Sequence, residues 1–377
     1  MIHRRALALA AAALLSACAT PIVAPLGDFP QAPVTPPLPR SAVQTIAVTS
    51  CSNEAAGRNQ TVFDQVRAAR PDLLLMLGDN VYGSWSPDDP ALPDLRRSYD
   101  QQSQRPEFRA LVSSVPTLST WDDHDFGKND GGGDFAHKAL AQRMFADFWR
   151  LPARDERRNR EGVYTSRILG PPGQRLQIIL LDTRYFRSPL TLTDERDKPG
   201  KERYVANPDP AMTMLGPAQW AWLEGELKKS ADLRIIASSI QVVAEGHGWE
   251  KWGNFPTEKQ RMVDLIARTG AQHVFFLSGD RHNSSLNVLR DSTPYPLYDL
   301  TASAVNMPWM SGLSEAGPLR IEGPYGPENF GEVRIDWAAR TISLGIRDIA
   351  GKPVFGRTVA FDEIRASPPP PPQAPRP

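Results

Sequence analysis

Six short runs of branched and apolar residues punctuate the first three quarters of the chain, at 45–49, 73–77, 115–120, 176–181, 234–238 and 273–277. Continuous apolar runs of this length read as strands covered on both faces. Between them, apolar residues recur at helical spacing over 61–69, 135–150, 217–229 and 257–269, the third with Pro217 in its first turn. Strands alternating with helices predict α/β layers. After Pro296 the pattern changes to strands joined by turns, at 297–301, 332–337, 341–346 and 354–360, with 348–351 as a hairpin turn. That part predicts an antiparallel sheet packed on the first. The expected fold class is therefore α/β (α+β), a two-sheet β-sandwich core flanked by helices, read as one domain over 44–366.

The two ends of the chain have a different character. Arg4 and Arg5 precede a small, apolar run from 6 to 15 and then Ser16-Ala17-Cys18, the layout of a secretory signal over 1–17. That run is too short to span a bilayer as a mature helix. Leu15-Ser16-Ala17-Cys18 also resembles the bacterial lipobox, which implies a membrane anchor through a lipidated Cys18. The alternative is ordinary signal cleavage with Cys18 discarded. Residues 21–39 are rich in proline and read, within an 18–43 linker, as an extended, disordered tether. The polyproline stretch of 367–377 reads as a disordered tail. An exported lipoprotein on the periplasmic side of the envelope is expected, and Ala19 favours the outer membrane by resemblance, with the inner membrane left open.

Charge adds little, since 43 basic and 43 acidic residues balance and give no nucleic-acid-binding signal. Cysteine adds more. With Cys18 lipidated, Cys51 stands alone in a compartment where disulfides usually form, and it is either a small buried hydrophobe or a functional thiol.

Four of the apolar runs end in metal-binding chemistry. They lead to Ser50-Cys51-Ser52, to Gly78-Asp79-Asn80-Val81-Tyr82, to Trp121-Asp122-Asp123-His124-Asp125, and to Ser278-Gly279-Asp280-Arg281-His282. In α/β sheets, loops at the carboxyl ends of strands converge on ligands. Any one Gly-Asp after a strand is usually a turn, but thiolate, phenolate, carboxylate and imidazole at four strand ends together point to a metal site. Carboxylates suit hard ions, and imidazole and thiolate suit transition metals. A bridging carboxylate such as Asp79 between two cations about 4 Å apart would activate water for in-line attack at phosphorus.

These motifs, with Leu180-Leu181-Asp182-Thr183-Arg184-Tyr185-Phe186-Arg187 and Trp252-Gly253-Asn254-Phe255-Pro256, occur in an order that resembles the PhoD-like (alkaline phosphatase D) family of metallophosphatases. The resemblance runs from about Ile46 to Asp362. It implies a metallophosphoesterase-like fold and hydrolysis of a phosphate ester by a metal-activated hydroxide. It implies a binuclear or multinuclear site of Fe3+ with Ca2+, with Cys51, Asp79 and Tyr82 on iron, Asp280 and His282 completing the shell, and Asp123 on the second metal. His124 would then serve as leaving-group acid or orienter. Arg184 and Arg281 are candidates for gripping phosphate oxygens, with Asp182 as a scaffolding partner of Arg184 in the competing reading. Gln241 matches a neutral site position, and His247 follows it in a loop where it either faces substrate or does not. His137 and His273 read as surface or core.

Two departures from the family pattern stand out: the residues read as a tether lead almost directly to Cys51, so the extra N-terminal β-domain of larger members is not expected between them, and Asp125 stands where many have glutamate. Gly131-Gly132-Gly133 is expected to form a mobile loop beside the site, since it lacks the ending of a phosphate-binding P-loop. The competing functional reading is a non-catalytic envelope lipoprotein that retains a metal site.

Overall fold

The computed structural model describes residues 25–366 of the 377. The signal, Cys18 and the 367–377 tail lie outside the described residues. No helix among those described is long and apolar enough to cross a membrane.

Two mixed sheets stack face to face. The first, six strands wide, runs Pro353–Ala360, Thr341–Asp348, Asn329–Asp336, Thr45–Thr49, Leu73–Leu77 and Thr117–Thr120. The last three are parallel to one another, and Thr45–Thr49 meets Asn329–Asp336 antiparallel. The second has seven strands, in the order Arg320–Tyr325, Ser284–Leu289, Leu297–Thr301, Val274–Ser278, Leu233–Ala237, Leu176–Leu180 and Thr165–Leu169. Its four middle strands, from Leu297–Thr301 to Leu176–Leu180, are parallel.

The continuous apolar runs are explained by burial on both faces. Ile46, Val48, Leu73, Leu75 and Leu77 point into the core between the sheets. Ala47, Leu74 and Met76, the alternate positions, point into a second core under Thr61–Ala68, Pro93–Gln104, Pro106–Val112 and Lys138–Phe148. Gly216–Leu227 and Pro256–Thr269 cover the far sheet. The latter opens on Pro256 and ends at Gly270 in a left-handed C-cap, the asymmetry expected of a helix. The layers are helix, sheet, sheet, helix.

Two expectations need correction. The strands after Pro296 do not form a separate sheet packed on the first. Leu297–Thr301 joins the second sheet beside Val274–Ser278, whereas the last three strands extend the first sheet edge to edge from Thr45–Thr49. Strand alternation reveals which face is buried but not which edge a strand joins.

The proline-rich residues from 25 onward are extended, as expected, but they are packed on the domain rather than free of it. Leu26 N donates to Asp147 at 2.6 Å, Ala32 N to Phe148 O at 2.9 Å and Thr117 N to Thr35 Oγ1 at 2.9 Å. Phe29 is buried edge-on against Tyr99 with ring centroids 5.8 Å apart. Proline presets an extended chain and removes amide donors, so such a strap can cross a surface with few groups left unpaired. Phe29 and Ala32 then hold it by burial.

Candidate metal centre

The carboxyl ends of the parallel strands in both sheets open at the same edge of the sandwich, and the ligand-bearing loops meet there. Two Gly-Asp motifs make the close approach possible. A Cβ at Gly78 would stand 2.5 Å from Asp122 Cβ, and one at Gly279 would stand 2.5 Å from Ser50 Oγ. Each aspartate that follows is thereby carried into the neighbouring strand end. Cys51, Asp79, Asp280 and His282 all have left-handed backbone, with φ of 58°, 49°, 70° and 54°. Side-chain-bearing residues hold such angles only where their surroundings over-determine them, a feature that clusters at functional sites.

Three overlapping groups of potential ligands result, each with its ligand atoms within 4.8 Å of one another: Cys51, Asp79 and His282; Asp79, Asp123 and His124; and Asp79, Asp122, Asp123 and Asp280. Asp79 belongs to all three. Its Oδ2 lies 3.5 Å from Cys51 Sγ and 3.3 Å from Tyr82 Oη, and Tyr82 Oη is 3.1 Å from His282 Nε2. The six residues expected as metal ligands, Cys51, Asp79, Tyr82, Asp123, Asp280 and His282, are therefore brought together.

The electrostatics of this cluster fit cations. Burial, with Asp123 next, pushes the Asp79 carboxyl well above its usual range. Burial, with Asp122 and Glu250, does the same to Asp280. Burial raises Asp122 to about 8 against the pull of Arg184, and raises the Cys51 thiol to about 12 and the Tyr82 phenol well above 10. Asp123 goes the other way: burial opposes its ionisation, but His124 and Arg184 outweigh burial and hold it below the usual carboxylate range. Asp122 Oδ2 and Asp123 Oδ1 are buried with no hydrogen-bond partner among the described residues. Crowded, orphaned carboxylate oxygens beside a buried thiol, a buried phenol and a half-buried imidazole suit one softer and one harder cation, whose binding would displace the protons the cluster otherwise retains.

A cavity of about 310 Å³ opens onto the cluster, lined on that side by Asp79, Asp123, His124, Asp280 and His282. His124 stacks on Tyr82 with centroids 4.2 Å apart, and its Nδ1 is 2.6 Å from Ser84 Oγ. Arg281 also lines the cavity and pairs with Glu315 at 2.6 Å.

Arg184 differs from expectation. Its guanidinium is wholly buried, 2.5 Å from Asp122 and 2.5 Å from Glu250, and it does not line the cavity. It is the counter-charge behind the ligands rather than a grip on phosphate. Asp182, its expected partner, instead accepts the backbone amides of Val163, Arg184 and Tyr185, each at 2.9 Å.

Gln241 and His247 are buried against each other, with His247 Nε2 2.9 Å from Gln241 Oε1, and neither lines the cavity. The three-glycine stretch is tied down rather than loose: Arg187 donates to Gly131 O at 2.8 Å, and Lys138 donates to Gly133 O at 2.7 Å. Asp125 accepts Asn80 N at 3.0 Å and Asp122 N at 3.1 Å, so it clamps two ligand loops together and its departure from glutamate leaves the ligand set intact.

Sequence reasoning overlooked three residues here. Asp122 joins the carboxylate group, and its adjacency to Asp123 was the available signal. Ser303 links Cys51 Sγ at 3.0 Å to His282 N at 2.8 Å, and it too follows a parallel strand, Leu297–Thr301. Glu250 bridges Arg184 and Arg187, the latter at 2.8 Å, and its sequence neighbourhood carries no signal of that role.

Comparison with known proteins bears on this centre. A family model described as PhoD-like phosphatase matches residues 46–315. Alkaline phosphatase D of Bacillus subtilis (strain 168) is 23% identical over 282 residues, which is 64% of this chain and 46% of that protein. The chain thus spans about half the length of this curated relative. A solved structure of PhoD superposes with a TM-score of 0.67 at 16% identity, covering 88% of this chain and 75% of that one. A purple acid phosphatase from yellow lupin (Lupinus luteus) seeds superposes with a TM-score of 0.55 at 14% identity, covering 88% and 56%. At these identities the two structures speak to the fold alone.

Proposed function

This chain belongs to the PhoD-like phosphatase family, and from that premise we propose that it is a metal-dependent phosphoester hydrolase acting in the cell envelope. The observation that carries the proposal is the group of Asp79, Asp122, Asp123 and Asp280, which shares Asp79 with the Cys51 and His282 group and presents Asp79, Asp123, Asp280 and His282 to the cavity. In this reading Cys51, Tyr82, Asp79 and His282 hold Fe3+, and Asp79, Asp122, Asp123 and Asp280 hold Ca2+. When bound, the cations supply a deprotonated water for in-line attack and neutralise charge on the phosphoryl oxygens.

The chain's own groups do the rest. Arg281, held between Glu315 and the cavity, orients phosphate oxygens. In this reading the Ser84 hydroxyl, 2.6 Å from His124 Nδ1, donates to it, so that the neutral ring would carry its proton on Nε2 and give it to the leaving oxygen. Arg184 keeps Asp122 in place from behind. Export and an anchor at Cys18 are part of the proposal and rest on the residues before 19. A Cys18→Ser chain released from membranes would support the anchor, and one that stays bound would refute it.

The test is elemental analysis of the purified protein together with hydrolysis of a chromogenic phosphomonoester and the matching diester. Iron with calcium and turnover of either ester is the expected result. Asp79→Asn should lose turnover with its circular dichroism unchanged. Metal-loaded protein inactive on both esters would refute the hydrolase reading.

A further inference from the structure

The cavity has a second wall, and of its residues the chemistry above uses only Arg281. The same cavity is also lined by Trp249, Trp309, Arg203 and Arg281. The two indoles meet edge to face, with centroids 5.1 Å apart and planes at 83°, and so form a corner. Both are only half-buried although they flank a deep site. The corner is fixed to the metal side of the cavity, because Trp309 N donates to His282 O at 2.8 Å. It is equally fixed on the other side: Arg203 N and Tyr204 N both donate to Gly248 O, at 3.1 and 2.7 Å, beside Trp249. Trp309 is further held from behind by Gly312, where a Cβ would stand 2.7 Å from Cε3.

Two guanidinium groups belong to the same wall. Arg203 lies 5.1 Å from the Trp249 centroid, and Arg281 lies 5.7 and 5.4 Å from those of Trp249 and Trp309. Glu315 neutralises Arg281, but the partner of Arg203 is Asp197 at 3.7 Å, on a side chain 71% exposed.

Resting on the hydrolase reading, we infer that the organic part of the ester this site accepts is a planar aromatic ring system, seated in the Trp249–Trp309 corner while its phosphate meets the acidic cluster. An acyl chain in that place would cover the Arg203 guanidinium, whose only carboxylate partner among the described residues is the exposed Asp197 at 3.7 Å, without offering it a further partner, which costs free energy. A π face stacks on indole and accepts a guanidinium at once. The cavity, about 310 Å³, sits at the small end of the range of ligand pockets, roughly 300–1,000 Å³. That is room for a phosphate and one ring system.

The ring has two natural sources, a nucleoside and a simple aryl ester, and the comparison must not be confounded by leaving-group acidity. The metal-loaded protein is therefore assayed with adenosine 5′-monophosphate against ribose 5-phosphate, and with the methyl diesters of the same two compounds. Each pair presents the same leaving oxygen. The base-bearing member is expected to have the higher kcat/KM by about fivefold or more, the least that stacking of one base on an aromatic side chain provides. Trp309→Phe should keep that ratio. Trp309→Leu, which retains apolar volume but no π face, should bring it to about one.

The same pairs are compared as ligands by titration calorimetry, with phenyl phosphate against cyclohexyl phosphate as the arm for simple aryl esters. Binding thus decides the matter even where no ester turns over, an outcome that would sink the hydrolase reading by itself. Equal constants within every pair would overturn the inference. So would a ratio unmoved by Trp309→Leu, or a preference for hexose or acylglycerol phosphates over the ring-bearing esters.

Discussion

Arg184→Met tests the counter-charge role against the phosphate-binding role in one variant. The native guanidinium contacts Asp122 at 2.5 and 2.7 Å and Glu250 at 2.5 Å, and all three side chains are at most 2% exposed. Methionine fills similar space and removes the charge. Arg187 remains 2.8 Å from Glu250, so the uncompensated carboxylate is mainly Asp122, already crowded by Asp79, Asp123 and Asp280. Removing one partner from a buried pair typically costs 3–5 kcal/mol, and a loss of about 4 kcal/mol is expected here. Urea unfolding followed by tryptophan fluorescence reads it at pH 9, above the value of about 8 to which Asp122 is raised, on Arg184→Met, Asp122→Asn and the double variant. Because the second change removes the stranded charge, the double variant should lose less than the sum of the two singles by about 1 kcal/mol or more. A residue that gripped phosphate would behave otherwise, leaving stability unchanged and weakening inhibition by inorganic phosphate. An unmoved unfolding midpoint with an additive cycle would refute the counter-charge assignment.

Other consequences are as direct. In metal-free protein, burial raises Asp125 to about 7 and Asp122 to about 8, far above the unfolded value near 3.9. A group protonated more readily when folded stabilises fully below its unfolded pKa, and that stability is lost as pH rises through the folded pKa. The melting temperature of metal-free protein should therefore fall from pH 6 to pH 9 and that of metal-saturated protein should not; scanning calorimetry showing a rise for the metal-free form would contradict this. Phe29→Ala should cost about 3 kcal/mol in urea unfolding, because Phe29 is 6% exposed; a neutral effect would return the strap to the status of a free tether. Gly78→Ala places a Cβ 2.5 Å from Asp122 Cβ at a φ of +104°, so loss of bound metal and about 2 kcal/mol or more of stability are expected. Retention of full metal content would show that the two loops have room to part.

The sandwich and its ligand loops were legible because each depends on local pattern. A fully apolar run such as Leu73–Leu77 announces burial on both faces, and the polar residues just beyond it are placed by the strand that precedes them. Pro93–Gln104 escaped the same reading, since Leu95 and Tyr99 are almost its only apolar residues and no stripe can be seen. The sheet partner of Leu297–Thr301, and hence the position of Ser303 against Cys51, depends on pairings between distant segments that no local pattern encodes. Arg184 misled for a related reason. A guanidinium in a site motif fits phosphate and carboxylate equally well, and only the burial of Glu250 beside it decides between them.

That decision bears on how the centre holds together. Four aspartates converge where two sheets end, and three of the four carry their protons more tightly than usual when no cation is counted. The fold sets the buried Arg184 against them as a counter-charge and shares it with Glu250. It also holds Cys51, Asp79, Asp280 and His282 in left-handed backbone, each at a cost on the order of 1–3 kcal/mol. Both costs are borne by the β-sandwich core and by the clamps that Asp125 and Ser303 form between ligand loops. Cations bound in such a centre would relieve the like-charge repulsion in it. Metal affinity and the pH dependence of stability are then linked, because a cation entering the site must displace the protons that Asp79, Asp122 and Asp280 hold.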